Sequence, residues 1–214
     1  MDSVVQPKVG LQTGDNDRFL RQWWEVDINK AMFNTQSIHE SLESGLKWFP
    51  YNKGGSYRRW YGNYDYFVNW ENDGFEIRNF TDDKGKLRSV VRNPSFYFQE
   101  AITWSDITSG EFAIRFRLKG SIHDVTGMSA FGDHKTLMML LSLMNTKIAK
   151  AVFKMVNPTM HLQIGNFQIF PVILEGINHS ILIELSTSCV ECAMIDWNSN
   201  ETSMDYGVKP YFIP

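Results

Sequence analysis

Hydrophobic and polar positions alternate in short runs over the first two thirds of the chain and recur at helical spacing over the last third. Residues 4–12 read as extended, with Pro7 and Gly10 limiting any helix, and Thr13, Gly14, Asp15 and Asn16 supply a turn with capping residues. Residues 19–26 fit a strand or a short helix equally, because Trp23 and Trp24 are adjacent and leave the period open. Ile38, Leu42 and Leu46 recur every four residues, which predicts a short helix over 37–46 that ends at Gly45. Short strands and turns follow from 48 to 104, most clearly at 66–70 and 101–107. Residues 112–118 and 121–126, parted by Lys119 and Gly120, predict a hairpin whose exposed face carries Arg115 and Arg117. Leu, Met and Ala dominate 135–156, a helix or a pair broken near Asn145, which should stop before Asn157 and Pro158. Short extended pieces are expected up to Pro171, then a second helical run over 179–195.

This order of elements predicts a mixed α+β domain over 1–174, with 175–214 starting a C-terminal helical region. The longest apolar stretches fall well short of the roughly 20 residues a bilayer span needs, so no membrane partner is expected. The first 14 residues do not read as a secretory signal, and the two cysteines build no disulfide framework, which predicts a cytoplasmic protein. The acidic stretch after Asp196 reaches Pro214 without a closing element, as in a fragment of a longer chain.

The net charge of −3 does not favour a nucleic-acid partner, but its distribution does. Lys47, Lys53, Arg58 and Arg59 occur with no acid between Glu43 and Asp65. Lys84, Lys86, Arg88 and Arg92 form a second basic stretch, and Arg115, Arg117 and Lys119 a third.

Motifs for catalysis are missing from the sequence. A strong metal signal needs two ligand pairs at fixed spacing. Cys189 and Cys192 stand unmatched, read as buried helix thiols, and the five histidines are scattered. There is no nucleophile elbow, Walker loop or dinucleotide fingerprint. Residues 48–64, WFPYNKGGSYRRWYGNY, differ in kind, with seven aromatics, three basic residues and no acid in seventeen positions. Aromatic faces stack on bases for about 1–3 kcal/mol each, and Lys and Arg neutralise phosphates. Composition alone leaves three readings open: a nucleic-acid surface, a packed core with Arg58 and Arg59 at a solvated turn, or a carbohydrate platform.

Several blocks together resemble the adenine-specific DNA methyltransferases of the BREX phage-resistance systems, the PglX family, in their target-recognition region. They are Gly10-Leu11-Gln12-Thr13-Gly14-Asp15-Asn16-Asp17-Arg18-Phe19-Leu20, Trp23-Trp24-Glu25-Val26, the run from Trp48 to Asn63, and Val68-Asn69-Trp70-Glu71-Asn72-Asp73-Gly74. Later blocks are Ile102-Thr103-Trp104-Ser105, Leu143-Met144-Asn145-Thr146-Lys147, Asn157-Pro158-Thr159 and the stretch from Asp196 to Ser203. The resemblance implies a recognition domain like the specificity domains of type I and type IIG restriction enzymes, docked on duplex DNA beside a separate catalytic domain. S-adenosylmethionine is implied for the parent enzyme, with no cofactor in this chain. Asn157-Pro158-Thr159-Met160 lacks the second proline and the aromatic of the family's catalytic motif and reads as a helix stop.

The expected function is therefore DNA recognition without methyl transfer, with Lys53, Tyr57, Arg58, Arg59, Arg88, Arg115, Arg117 and Lys119 on double-stranded DNA. The alternative is an interaction module that docks the methyltransferase domain or other defence-system subunits.

Overall fold

The computed structural model describes residues 4–106, 112–156, 161–172 and 179–206. Among them, eight strands form two four-stranded sheets. The first sheet holds β1 (Gln6–Lys8), β5 (Ala101–Ser105), β6 (Arg115–Arg117) and β8 (Gly127–Phe131), in the antiparallel order β1-β8-β5-β6. The second holds β2 (Leu20–Gln22), β3 (Trp48–Asn52), β4 (Tyr66–Asn69) and β7 (Ile122–His123), in the order β2-β4-β3-β7. Only the pairing of β3 with β7 is parallel there. Strand β7 runs on into β8 through residues 124–126, so the two sheets meet at that loop.

Alternation decides what each strand buries. Ile114 and Phe116 face the larger core with Ile102, Trp104, Met128 and Ala130, under helices α4 (His134–Met144), α5 (Lys147–Val156), α6 (Ile164–Gln168) and α7 (His179–Asn198). The ring of Trp104 stacks on that of Phe167 at 4.3 Å, and its N–H donates to the Leu162 carbonyl. The second core is aromatic, with Phe19, Phe49, Tyr51, Trp70, Tyr97 and Phe98 around the second sheet. Two short helices flank it: α1 (Asn16–Phe19), capped by the Asp15 carboxylate, and α2 (Ile38–Glu43), capped by the Ser37 hydroxyl.

The mixed α+β class expected from the sequence matches this architecture, and the paired helices meet at Asn145, whose side chain bonds both Ile114 and Leu141. Three local readings need correction. Residues 112–126 do not form a hairpin: β6 pairs with β5, and β7 pairs with β3 in the other sheet. Helix α3 (Glu71–Arg78) begins in left-handed conformation at Asn72, Asp73 and Gly74, a start no apolar period marks. Residues expected as extended before Pro171 include α6. The stop at Asn157 and Pro158 and the domain boundary near 174 lie outside the described residues. Helix α7 packs on α4 and contributes Val190 and Trp197 to the larger core, and the Trp23 indole N–H donates to the Thr202 carbonyl at 2.8 Å.

No single described helix is long and apolar enough to cross a membrane. Helices α4 and α5 pass that test jointly but bend by 75° at their break, and α4 owes its apolar character to the core it fills.

Candidate nucleic-acid interface

The segment 53–64 leaves the C-terminal end of β3 and crosses to the outer edge of the first sheet. There Trp60 makes a bridge to Arg115, its N–H bonded to the Ile114 carbonyl and its carbonyl to the Phe116 N–H. Left-handed backbone at Gly54, Trp60 and Asn63 turns the chain. Tyr51, Tyr61 and Tyr64 of this aromatic-rich stretch are buried, which makes them core rather than contact residues. Burial pushes the Tyr64 phenol up to about 12, and it accepts the Leu118 N–H at 2.9 Å.

What remains at the surface is a smaller set. Tyr57 is 48% exposed, and the Arg59 guanidinium and the Lys150 ammonium each lie 5.9 Å from its ring centre. Lys147, Lys150 and Lys154 share one flank of α5, beside buried Ala149 and Phe153, while Ile148 and Met155 take the most exposed positions, so this helix extends the cationic surface along that flank. Helical spacing in the sequence marks that stripe. Arg58 instead faces α7: its Nη1 lies 3.2 Å from Asp196 Oδ2, and its guanidinium stacks 5.1 Å from the Trp197 ring. Arg58 therefore ties the loop to α7.

Lys53 stands apart from Tyr57. Its ammonium lies 5.0 Å from the Tyr66 ring centre, and its stem borders the turn at 12–16 and the loop at 124–126. Arg88 reaches the same edge, because its carbonyl packs against Gly14, and its guanidinium covers Phe80 at 5.1 Å. Arg18 covers the same ring at 5.1 Å, an exposed cation outside the basic runs because Asp15 and Asp17 stand beside it in sequence. Lys119 is exposed but precedes β7, whereas Lys53 follows β3. Those strands run parallel, so the two lysines lie at opposite ends of the sheet.

Arg115 and Arg117 are the principal correction. Alternation predicts them on an exposed face, yet their exposures are 1% and 0%. The alternation of 112–118 separates two faces as expected, but the second face is covered rather than solvated. Arg117 lies against the Phe131 ring at 5.3 Å and donates to the Ser121 and Gln99 carbonyls at 3.2 and 2.9 Å. Arg115 Nε and Nη2 have no hydrogen-bond partner among the described residues. Burial lowers both guanidiniums to about 10, the nearby Tyr64 acting in the opposite direction, so both stay charged near neutrality. The expectation of buried thiols also fails at Cys192, which is exposed.

The surface thus offers separated cations, a half-exposed tyrosine and no group of three or more described His, Cys, Asp or Glu residues that could hold a metal ion. No protein-family model matches the chain. It is 38% identical over 208 residues to the adenine-specific methyltransferase PglX of Lacticaseibacillus casei (strain Zhang), a match covering 96% of this chain and 17% of the relative. The chain is similar to one segment of an adenine-specific methyltransferase. A second relative, the adenine-specific methyltransferase BrxX of Escherichia coli O9:H4 (strain HS), is 36% identical over 201 residues, covering 92% of this chain and 15% of the relative. The resemblance to PglX read from the sequence blocks is borne out, and the chain spans about a sixth of the length of these relatives.

Proposed function

We propose that this chain is the DNA-recognition part of an adenine-specific methyltransferase of a phage-defence system, binding duplex DNA without carrying out methyl transfer itself. The observation that carries this reading is the cationic and aromatic surface built on 53–59 and α5, in a chain similar over nearly its whole length to such enzymes. Arg59, Lys150 and Lys147 supply charge to phosphates, Tyr57 supplies a face for a sugar or base, and Lys53 and Arg88 continue the contact along the edge by Gly14. Arg58 holds the loop in place against α7. Arg115 and Arg117 have no part in contact, because reaching a phosphate would require opening the sheet interface.

Binding through phosphates releases counterions, so affinity for duplex DNA should fall at least tenfold between 50 and 200 mM salt. A salt-independent affinity, or no binding at low salt, overturns the reading.

A second reading has its own observation. Helix α7 leaves Ile181, Leu185, Cys192 and Ile195 exposed along one stripe, which suits an interaction module docked on a methyltransferase domain. It predicts that Leu185→Glu abolishes association with that domain while DNA affinity is unchanged.

A further inference from the structure

The turn of the Gly10 to Asn16 block, at the edge where Lys53 and Arg88 continue the contact surface, walls a hollow of about 290 Å³, and its last residue, Asn16, also lines an adjoining one of about 320 Å³. Asn16 and Lys53 line both, so Lys53 stands on the divide between them. The turn is closely packed on neighbouring backbone. A Cβ on Gly10 would lie 1.7 Å from the His123 carbonyl oxygen, and one on Gly14, at φ +78°, 2.6 Å from that of Arg88. Asp124, 4% exposed, forms part of the wall of the first hollow, and its Oδ1 accepts the Thr126 N–H at 3.0 Å. Asn16 Oδ1 already accepts the Thr13 hydroxyl at 2.6 Å, and Gln12 Oε1 the Arg92 guanidinium at 3.2 Å, which leaves both amide NH₂ groups as donors.

The first hollow therefore combines two carboxylates, Asp15, whose Oδ1 accepts the Arg18 N–H, and Asp124, which also meets Val125, Thr126 and Tyr51, with two amide donors and one cation. Asp124 opposes a free phosphate there, and Lys53 opposes a cationic ligand. A neutral ring with donors and acceptors along one edge satisfies both, and a nucleobase is such a ring. Burial raises the Asp124 carboxyl to about 6, so at neutral pH it is ionised and remains an acceptor.

We propose that the two hollows read consecutive nucleotides of the target DNA, with Asp124 accepting from the exocyclic amino group of an adenine or cytosine and Lys53 on the phosphate that joins them. This rests on the DNA-binding reading above and adds the base it reads.

The test is selection of the full chain on a randomised duplex library, followed by sequencing of the bound fraction. The wild type should prefer adenine or cytosine at one position by about tenfold. Asp124→Asn, which offers an NH₂ beside its one remaining oxygen, should reduce that preference below twofold, by weakening binding to the preferred sequence. Lys53→Ala should weaken all sequences alike with the preference intact. If Asp124→Asn does not fold, Asn16→Ala, an exposed change, decides, with an altered preference expected at the same or the adjacent position. A chain that binds DNA with no preference, or folded variants whose preference matches the wild type, overturns base reading and leaves DNA binding standing. No binding by the wild type overturns both.

Discussion

The Arg58 guanidinium lies 5.1 Å from the Trp197 ring centre and joins segments 139 positions apart in the chain. Trp197 in turn packs on Gly62, where an added Cβ would come within 2.9 Å of the indole. The loop that carries Tyr57 and Arg59 is therefore anchored at both its middle and its end by α7. Its contact residues are positioned by packing, with the Arg58–Asp196 ion pair as a minor addition.

That division predicts unequal losses. Asp196, with its side chain 71% exposed, contributes little through its ion pair, so Asp196→Asn should cost less than about 1 kcal/mol. Trp197→Ala removes a buried indole and should cost about 3–5 kcal/mol. It should also weaken DNA binding, because the loop loses its support. Chemical denaturation of both variants checks the order, and equal losses would contradict it.

The buried arginines make a second contrast. Arg115 has unsatisfied donors, so Arg115→Met removes a buried cation and should leave stability unchanged or raise it by about 1–4 kcal/mol. Arg117→Met strands the Ser121 and Gln99 carbonyls and should cost about 1–3 kcal/mol. Melting curves distinguish the two, and a large loss on Arg115→Met would show that the residue is held by interactions other than those described.

Gly10→Ala should destabilise by about 2–3 kcal/mol, because the new methyl group meets backbone at His123 that no rotamer change can move. Gly45→Ala serves as the control. Its φ of +62° strains the backbone by about 1 kcal/mol, but nothing lies within 4 Å of the added atom.

Stability should depend on pH through two neighbouring groups of opposite sign. Burial holds the His123 imidazole well below its ordinary value of 6.5, so the fold accepts only its neutral form. Its contribution is present above pH 6.5 and is lost as pH falls below it. Burial raises Asp124 from 3.8 to about 6, so the fold prefers its protonated form, and stability drops by up to about 3 kcal/mol as pH rises from 4 to 6. In Asp124→Asn only the histidine effect remains of this pair. Its melting temperature relative to the wild type should therefore rise between pH 4 and 6, and parallel profiles would contradict the assignment.

How much of this was legible in the sequence depended on whether a local signal existed. Ser37 and the spacing of Ile38 and Leu42 marked α2, and Asn145 marked the break between α4 and α5, because caps and apolar period are local properties. The pairing of β7 with β3 was not legible, since Ile122 and Tyr51 are brought together by tertiary structure across 70 intervening residues. The same limit produced the error at Arg115 and Arg117. Alternation separates the faces of a strand but does not say whether a second layer covers the polar one. The basic and aromatic block at 48–64 was conspicuous, but composition could not divide it into buried Tyr61 and Tyr64 and exposed Tyr57. The cations outside the block, Lys150 and Arg18, join the surface only through packing on Tyr57 and Phe80.

The central claim, that duplex DNA is bound through the exposed part of this block, is tested most directly by comparing two folded variants at low salt. Tyr57→Ala with Arg59→Ala should weaken duplex binding at least tenfold, since a lost aromatic contact alone removes about 1–3 kcal/mol. Arg115→Met should leave the dissociation constant within twofold of the wild type. Unchanged affinity in the double variant, or loss in Arg115→Met at full stability, would contradict the account.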